Sequence, residues 1–211
     1  PNRDLASLGV QSLLVGWIGA DSEGHRLREL LKQSGVDTQG MVTVPGRPTI
    51  TKTRIIGGHQ QMLRLDLEES RPLDQGSLAA CLARAKRLIE QGPRPDAVLL
   101  SDYGKGVLTE EICQSLIQAG RAAHIPVLVD PKGMDYQKYR GATVITPNRR
   151  ELTEAVATQE RGIIDATDLN RLLAAGEHLR AACAVDLFAV TLSAQGIALL
   201  QADSPPRPAR R

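Results

Sequence analysis

Aromatic residues are scarce in this sequence, with one Trp, three Tyr and one Phe among 211 residues. So few rings argue against the base-stacking surfaces by which proteins bind single-stranded nucleic acid. The sequence also has no large excess of one charge, because it contains 26 basic and 24 acidic side chains and its formal net charge is +2. This balance gives no reason to expect nucleic acid or an anionic membrane as a partner. No apolar run approaches the length of a transmembrane helix, and the first residues show no signal-peptide pattern.

Cysteine and histidine are too few and too scattered to form a recognisable framework. The three cysteines, Cys81, Cys113 and Cys183, are odd in number and widely spaced, so neither a set of disulfides nor a zinc site is supported. The four histidines show no ligand spacing. We interpret the cysteines as buried free thiols in a reducing cytosol, which predicts a cytoplasmic location.

Apolar runs of strand length alternate with segments in which apolar residues recur at helical spacing. Strands are predicted around residues 12–18, 36–44, 96–100, 127–129, 142–145, 185–192 and 197–200. Helices are predicted from Asp21 or Ser22 to Gly35, around 74–91, after Thr109, from Arg149 and around 165–182. This alternation predicts an α/β fold with a parallel sheet that is covered on both faces.

Two alternating, β-prone runs interrupt this order. Residues 49–56 and 61–67 flank the sequence Gly-Gly-His-Gln at 57–60, which predicts a β-hairpin. A hairpin inserted into a chain of strand–helix units rarely joins the main parallel sheet, so we interpret residues 47–68 as a separate lid. We find no interdomain linker and expect residues 1–211 to form a single domain, with a disordered Pro/Arg-rich tail at about 203–211.

Two of the predicted strands stop at a proline. Because proline has no N–H to give to a sheet ladder, the strands at 127–129 and 142–145 must end at Pro131 and Pro147. The polar residues around and beyond these stops are therefore expected at the carboxyl ends of neighbouring strands, where open α/β sheets bind ligands. These residues are Asp130, Lys132, Asn148 and Glu151. A lysine and two acids gathered there suit a phosphate and its magnesium ion.

Each half of this group also has a structural explanation without a ligand. Asn148 and Glu151 lie three residues apart at a helix start, where they could hold magnesium directly or through water but also resemble a capping box. In Asp130-Pro131-Lys132-Gly133, a cation beside a carboxylate could neutralise a phosphate, but Pro and Gly are also typical of a surface turn.

Two further loops carry features suited to anions. The sequence SDYGKG at 101–106 places two glycines around Lys105, so that backbone and ammonium could both approach an anion, although it is not a P-loop. It could also be a plain strand–helix turn, with Asp102 as a buried acid at the strand end. The sequence TLSAQG at 191–196 could lay hydroxyls and a backbone amide along a nucleotide, or could be only a hairpin turn.

Several segments together resemble the ribokinase, or PfkB, family of sugar kinases, and in particular its branch of D-glycero-β-D-manno-heptose 7-phosphate kinases. Members of that branch occur alone or as the first half of a bifunctional enzyme. The matching segments follow one another along nearly the whole chain: RPTITKTRII, QQMLRLDLEE, LLSDYGKGVLT, VLVDPKG, YRGATVITPN with Glu151, and VTLSAQGIALLQ. The resemblance implies a ribokinase-like three-layer αβα sandwich with a mainly parallel sheet and a small β lid.

The resemblance also implies an activity and its ligands. Members of the family transfer the γ-phosphate of ATP to a sugar hydroxyl, here expected to be O1 of D-glycero-D-manno-heptose 7-phosphate. The product would enter the synthesis of ADP-heptose and the lipopolysaccharide core. ATP and Mg²⁺ are the implied cofactors, a sugar phosphate is the implied small-molecule partner, and a homodimer through the β lid is an implied assembly.

By the same resemblance, individual residues take candidate roles. Asn148, Arg149, Arg150 and Glu151 are assigned to the nucleotide, with Glu151 and Asn148 at the metal directly or through water. Lys132, Thr191, Ser193 and Gly196 become further candidates on the ATP side. Arg64, Asp102 and Lys105 become candidates for binding the sugar phosphate.

The sequence departs from the family pattern in two places. The family's Gly-Ala-Gly-Asp segment, whose amides stabilise the transferring phosphoryl group and whose aspartate is the base, is not found after Gln201, so no catalytic residue is assigned. The family's first strand and its Gly-Gly-Ala-Ala-Asn sugar motif are not found either. We therefore expect a partial chain, truncated at both ends and inactive by itself. A non-catalytic remnant that binds nucleotide or a partner subunit, and a kinase for another sugar phosphate, are the alternatives.

Overall fold

The structure, a computed structural model, describes residues 5, 7–69, 71–160, 168–202 and 204–208. The chain divides into two compact units, Pro1–Ala85 and Lys86–Arg211. Within these described residues, no helix combines the length and the apolar character needed to cross a membrane.

The N-terminal unit contains two parallel strands joined by a helix. β1 (Gly16–Gly19) pairs with β2 (Met41–Val44), and α1 (Ser22–Gln33) connects them. Both strands are shorter than predicted, because the pairing before residue 16 is reduced to an isolated bridge between Leu13 and Asp37. Asp21 is the helix cap, since its carboxylate accepts a 2.8 Å hydrogen bond from the N–H of Gly24.

The carboxylate of Asp21 also fixes the chain that leads into the hairpin. It accepts hydrogen bonds from the N–H and the hydroxyl of Thr49 at 2.7 and 2.6 Å. The Thr49 hydroxyl oxygen in turn accepts a 2.8 Å bond from the N–H of Gly19. A side chain at Gly19 would not fit, because its Cβ would lie 2.4 Å from the carbonyl oxygen of Arg47. The root of the hairpin is therefore tied to the end of β1 and the start of α1.

The predicted hairpin is confirmed. β3 (Thr51–Gly57) and β4 (Gln60–Leu67) pair antiparallel, and every residue of β4 is exposed. Residues paired across two strands share a face of the sheet. The apolar face carries Ile55, Leu63, Leu65 and Leu67, and the charged face carries Lys52, Arg54, Arg64 and Asp66. The hairpin is therefore amphipathic, and the described residues leave its apolar face exposed.

The helix α2 (Gln75–Glu90) leads into the second unit, whose elements follow the predicted order. These are β5 (Val98–Ser101), α3 (Glu110–Ala122), β6 (Val127–Asp130), β7 (Val144–Ile145), α4 (Arg149–Glu160), α5 (Leu169–Ala182), β8 (Leu187–Thr191), β9 (Ile197–Gln201) and β10 (Ser204–Pro208). Short 3₁₀ turns lie at Gln137–Tyr139 and Ser193–Gln195. Thr109 caps α3 as predicted, and Asp168 caps α5. The predicted start of that last helix, at residue 165, lies outside the described residues.

The six strands of the second unit form one sheet in the order β10-β9-β8-β7-β6-β5. β5 to β8 are parallel to one another, which confirms the predicted parallel sheet, whereas β9 and β10 run antiparallel to their neighbours. The antiparallel pairing of β8 with β9 shows that residues 193–196 form a hairpin turn, one of the two interpretations of that segment. Because parallel strands all end at the same edge, the loops after β5, β6, β7 and β8 lie along a common rim.

The two faces of this sheet are buried to different extents. The strand register aligns one row of side chains that are all 3% exposed or less: Leu100, Val129, Ile145, Phe188 and Leu200. The adjacent row, on the opposite face, begins with Leu99, which is 47% exposed, and continues through the half-buried Leu128 and Val144. Within the described residues, the fully buried core therefore lies on one face, and it holds the strand ends of the rim in place.

The predicted disordered tail is wrong for five residues. Ser204–Pro208 form β10, which pairs antiparallel with β9. Prolines are tolerated there because β10 is an edge strand, where a missing N–H need not leave a ladder bond unmade. The rest of the predicted tail, residues 203 and 209–211, lies outside the described residues.

Candidate active site

The loops after β6 and β7 bring Lys132 and Glu151 together. Pro131 follows β6 and Pro147 follows β7 at the positions where the sequence predicted that the strands stop. The Nζ atom of Lys132 lies 3.7 Å from Oε1 of Glu151, with the lysine side chain 56% exposed and the glutamate side chain 17% exposed. An exposed cation therefore lies beside a largely buried carboxylate at the rim.

Asn148 and Glu151 form the reciprocal bonds of a capping box at the start of α4. The side-chain oxygen of Asn148 accepts from the N–H of Glu151 at 2.9 Å, and Oε2 of Glu151 accepts from the N–H of Asn148 at 3.0 Å. Both hydrogen bonds of a capping box are therefore present, but they use only one carboxylate oxygen of Glu151. The other, Oε1, faces Lys132, so Glu151 can cap the helix and still present an oxygen to the rim.

A second acid, Asp130, lies at the end of β6 on the same rim. Burial raises the pKa of Asp130, and the negative charge of Glu151 raises it further. Carboxylate and amide oxygens suit Mg²⁺, which commonly binds one or two carboxylates together with phosphate oxygens and water. Among the described residues, no group of three or more His, Cys, Asp or Glu side chains could hold a metal ion by itself. Glu151 and Asn148 therefore fit a magnesium ion that also binds phosphate oxygens, and not a closed metal centre.

The turn between β8 and β9 lies beside the start of α4. The N–H of Thr191 donates to the carbonyl of Pro147 at 2.9 Å, and Thr191 forms an isolated parallel bridge with Asn148. The guanidinium of Arg149 donates to Oε1 of Gln195 at 3.2 Å. The structure thus brings two of the predicted nucleotide segments, the one after β7 and the one after β8, into direct contact.

Within that turn, Ser193 and Gly196 have positive φ angles of 53° and 90°. The N–H of Gly196 donates to the carbonyl of Ser193 at 3.1 Å, so this amide is used inside the turn. The side chain of Ser193 is exposed. Of the two, Ser193 is therefore better placed than the Gly196 amide to contact a ligand.

Asp102 is a buried acid at the end of β5, as the interpretation of its loop as a plain strand–helix turn predicts. It is 6% exposed, and its Oδ2 accepts from Nζ of Lys138 at 2.6 Å and from the hydroxyl of Tyr139 at 2.7 Å. The N–H of Gly104 donates to Oδ1 at 2.7 Å. Because the protein itself supplies three donors, the carboxylate anchors the rim loop after β5 to the connection between β6 and β7.

The remaining predicted site residues occupy three different places. Lys105 is half-buried in the same loop as Asp102. Arg150 lies on the exposed side of α4 and pairs with Glu154 at 2.7 Å. Arg64 belongs to the N-terminal unit, where it lies on β4 and pairs with Asp66 at 2.9 Å. The structure therefore places Lys105 in a rim loop, Arg150 on the outside of α4 and Arg64 on the hairpin.

The sequence interpretation missed Lys138 and Tyr139, which lie in the 3₁₀ turn between β6 and β7. A usable signal was present in the composition. The sequence contains three tyrosines, and two of them, Tyr136 and Tyr139, fall in this one connection. In a chain so poor in aromatic residues, that concentration marks a segment that packs into the core beneath the rim.

The assembled rim offers a cation, carboxylate oxygens and an exposed hydroxyl at the ends of parallel strands. Phosphoryl transfer depends on positioning and on offsetting charge, which such groups can provide. A lysine can neutralise phosphate oxygens, while a carboxylate at a helix start can hold the accompanying Mg²⁺. The chemistry that the geometry supports is therefore the binding and orientation of a phosphate group together with its Mg²⁺ ion.

Comparison with known proteins identifies the class. The chain belongs to the pfkB family of carbohydrate kinases, whose family model matches residues 3–209, so the predicted family is confirmed. Over 208 residues it is 48% identical to the bifunctional protein HldE of Magnetococcus marinus, an alignment that covers 97% of this chain and 41% of that protein. It is also 48% identical over 198 residues to the bifunctional protein HldE of Methylobacillus flagellatus, covering 93% of this chain and 39% of that protein. The chain thus spans about two fifths of the length of these relatives.

Solved structures share the fold at low sequence identity. Phosphofructokinase-2 from Escherichia coli in complex with potassium superposes with a TM-score of 0.74 at 16% identity, covering 99% of this chain and 64% of that chain. Ribokinase from Arabidopsis thaliana complexed with ribose and ATP gives a TM-score of 0.66 at 19% identity, covering 99% of this chain and 64% of that chain. The predicted ribokinase-like α/β fold is therefore confirmed.

Proposed function

We propose that this chain is the kinase part of a heptose enzyme, which transfers the γ-phosphate of ATP to O1 of D-glycero-D-manno-heptose 7-phosphate. The product would feed the synthesis of ADP-heptose and the lipopolysaccharide core. The identity of 48% with bifunctional HldE proteins and the resemblance of whole segments to heptose kinases support the choice of sugar. The proposed ATP site is supported mainly by the distance of 3.7 Å between Nζ of Lys132 and Oε1 of Glu151 at the carboxyl ends of the strands.

In this proposal Lys132 leaves Glu151 when nucleotide binds. The lysine then contacts a phosphate oxygen, and Glu151, with Asn148 beside it, faces Mg²⁺ directly or through water. Separating the ion pair costs about 1 kcal/mol or less, because the lysine side chain is mostly exposed. Charge-assisted bonds to phosphate are stronger than that, so the exchange is favourable.

Other rim residues complete the proposed ligand sites. Thr191, Ser193 and Arg149 line the nucleotide from the side of β8, and Lys105, by the resemblance to heptose kinases, binds the sugar phosphate. We place the reaction in the cytoplasm, a location that the free state of all three cysteines supports.

The test measures ligand binding, because binding depends on the described rim residues. Isothermal titration of the 211-residue chain with ADP should give saturable binding in the presence of Mg²⁺ and much weaker binding with EDTA. Titration with heptose 7-phosphate should give tighter binding than titration with fructose 6-phosphate. A chain that binds no nucleotide contradicts the kinase proposal. Equal affinity for the two sugar phosphates contradicts the heptose assignment and favours a kinase for another sugar phosphate.

We further propose that the apolar face of the hairpin packs against the same face of a second copy of this chain. Ile55, Leu63, Leu65 and Leu67 are all exposed on that face. On the other face, Asp66 pairs with Lys52 at 3.0 Å and with Arg64 at 2.9 Å, so those charges have partners within the hairpin. A two-fold arrangement would let each apolar face cover the other and remove a patch that favours aggregation.

A further inference from the structure

The hydroxyl of Tyr139 bridges two loops of the rim. It donates to Oδ2 of Asp102 at 2.7 Å, in the loop after β5, and accepts from the backbone N–H of Lys132 at 3.1 Å, in the loop after β6. Tyr139 is fully buried and Asp102 is nearly so, which leaves little water to compete for either bond. One buried oxygen atom therefore joins the loop that carries Lys105 to the backbone of Lys132.

The segment around Tyr139 is also held by contacts that do not involve its hydroxyl. Nε2 of Gln114, on α3, donates to the carbonyl of Lys138 at 3.2 Å and to the carbonyl of Arg140 at 3.1 Å. These two carbonyls flank Tyr139 in the chain. Removing the hydroxyl alone is therefore expected to leave the segment where it is.

The direction of both hydroxyl bonds follows from the groups involved. Burial raises the pKa of Tyr139, so the phenol stays protonated at neutral pH and acts as a donor. Its proton goes to Asp102, whose carboxylate is held in place by Nζ of Lys138 at 2.6 Å. The hydroxyl oxygen is then left to accept from the N–H of Lys132.

We propose that Tyr139 is a positioning residue for the nucleotide site, which holds the backbone of Lys132 so that its ammonium stays within reach of Glu151 and of bound phosphate. This inference rests on the proposed function, because it gives Tyr139 a part in binding the same nucleotide. The Lys132 side chain is long and mostly exposed, so the place of its ammonium depends on where the backbone is anchored. Gly133 follows directly with a φ of 88°, and because glycine has no Cβ, sterics restrain the backbone little on that side of Lys132. Anchoring the backbone before the ligand arrives reduces the conformational freedom that Lys132 loses when its ammonium moves from Glu151 to phosphate, and this increases affinity.

The chain offers a matched pair of variants for the test. Tyr136 lies three residues before Tyr139 in the same connection and is 1% exposed, but its hydroxyl has no hydrogen-bond partner among the described residues. Tyr139→Phe and Tyr136→Phe therefore each remove one buried oxygen atom. Only the first removes hydrogen bonds.

The experiment measures the affinity of the full chain for Mg·ADP by calorimetry, with thermal unfolding to verify the fold of each variant. Tyr139→Phe should weaken binding about three- to tenfold, the effect of about one net hydrogen bond. Tyr136→Phe should leave affinity unchanged. In a Lys132→Met background, Tyr139→Phe should have no further effect, because it acts through Lys132. A merely structural role would reduce affinity by the same factor in both backgrounds.

The outcomes separate this inference from the proposed function. If wild type binds Mg·ADP and Tyr139→Phe binds it equally well, or loses the same factor in both backgrounds, the positioning role is wrong and the kinase proposal stands. If wild type binds no nucleotide, both are wrong. Should Tyr139→Phe fail to fold, Asp102→Asn replaces it, because this variant keeps the shape of the side chain and weakens the acceptor of the tyrosine proton. It should lower affinity in wild type and leave it unchanged in the Lys132→Met background.

Discussion

The ammonium of Lys132 lies 3.7 Å from a carboxylate oxygen of Glu151, although the two residues follow different strands. The second oxygen of that carboxylate accepts a 3.0 Å bond from the N–H of Asn148, which holds Glu151 at the start of α4. The pair therefore consists of a movable cation and a fixed anion. Ligand binding should shift the lysine and leave the glutamate in place.

Replacement of the movable cation should affect binding and spare stability. Lys132→Met is expected to weaken Mg·ADP about tenfold, because a charge-assisted bond to phosphate is lost. The free energy of unfolding should change by about 1 kcal/mol or less, since exposed ion pairs contribute little. Lys32→Met is a matched control, because Lys32 is 55% exposed and pairs with Glu29 at 3.0 Å. Calorimetry and urea denaturation measure the two effects, and an equal loss of affinity in the control would contradict the role of Lys132.

The buried carboxylate of Asp102 should depend on Lys138 for its stability. Lys138→Met leaves Tyr139 and Gly104 as donors but removes the counter-charge, which should cost about 1.5–3 kcal/mol of unfolding free energy. Combining Lys138→Met with Asp102→Asn should recover part of this loss, because a neutral amide needs no counter-charge. Urea denaturation at neutral pH measures both variants. A double variant that is less stable than Lys138→Met alone would refute this account of the network.

Acid should weaken the N-terminal unit through Asp21. Hydrogen bonds from Thr49 hold the pKa of Asp21 below its usual value of 3.8. A carboxyl group whose pKa is lower in the folded state contributes stability that is complete above the unfolded pKa and is lost as the pH falls through the folded pKa. Below pH 3.8, the melting temperature of wild type should therefore fall more steeply with pH than that of Asp21→Asn. Parallel curves from calorimetric scans would show that this bond network does not respond to acid.

The two faces of the hairpin should respond differently to a new negative charge. Leu65→Glu places the charge on the apolar face and should convert the proposed dimer to a monomer, because a buried carboxylate there would have no partner. Arg64→Glu alters the adjacent residue on the charged face and should leave the dimer intact. Light scattering coupled to size exclusion measures the mass of each variant. A wild type that is monomeric at all concentrations would exclude this interface.

The sequence was most informative where the signal was local. The prolines at 131 and 147 marked the ends of two strands, and the side chains beyond them meet at the rim as expected. The capping box at Asn148 was also readable from two residues three apart. What the spacing left open was whether Glu151 caps a helix or faces a ligand. The structure answers that it can do both, because its two carboxylate oxygens point to different partners.

Contacts between distant residues were not predictable in the same way. Asp102 meets Lys138 and Tyr139 across 36 and 37 positions of sequence, and no local pattern links them. Their meeting depends on the pairing of β5 with β6 and on the packing of α3 against the intervening turn. The strand β10 was missed for a related reason. The prolines of this segment do not show that the edge of β9 is available for pairing, and proline is tolerated on such an edge strand.

Because the native cysteines are buried, a single cysteine added to the hairpin could be labelled selectively. Cys81, Cys113 and Cys183 are free and at most 2% exposed, and burial raises the pKa of Cys113 and of Cys183 to about 11. The thiolate is the nucleophile that attacks a thiol reagent, and these thiols are buried and stay protonated at neutral pH, so the native side chains should react slowly. A cysteine introduced at His59, in the exposed turn between β3 and β4, would then carry a fluorophore without removal of any native thiol. Its emission would report directly whether the hairpin moves when nucleotide or sugar phosphate is added.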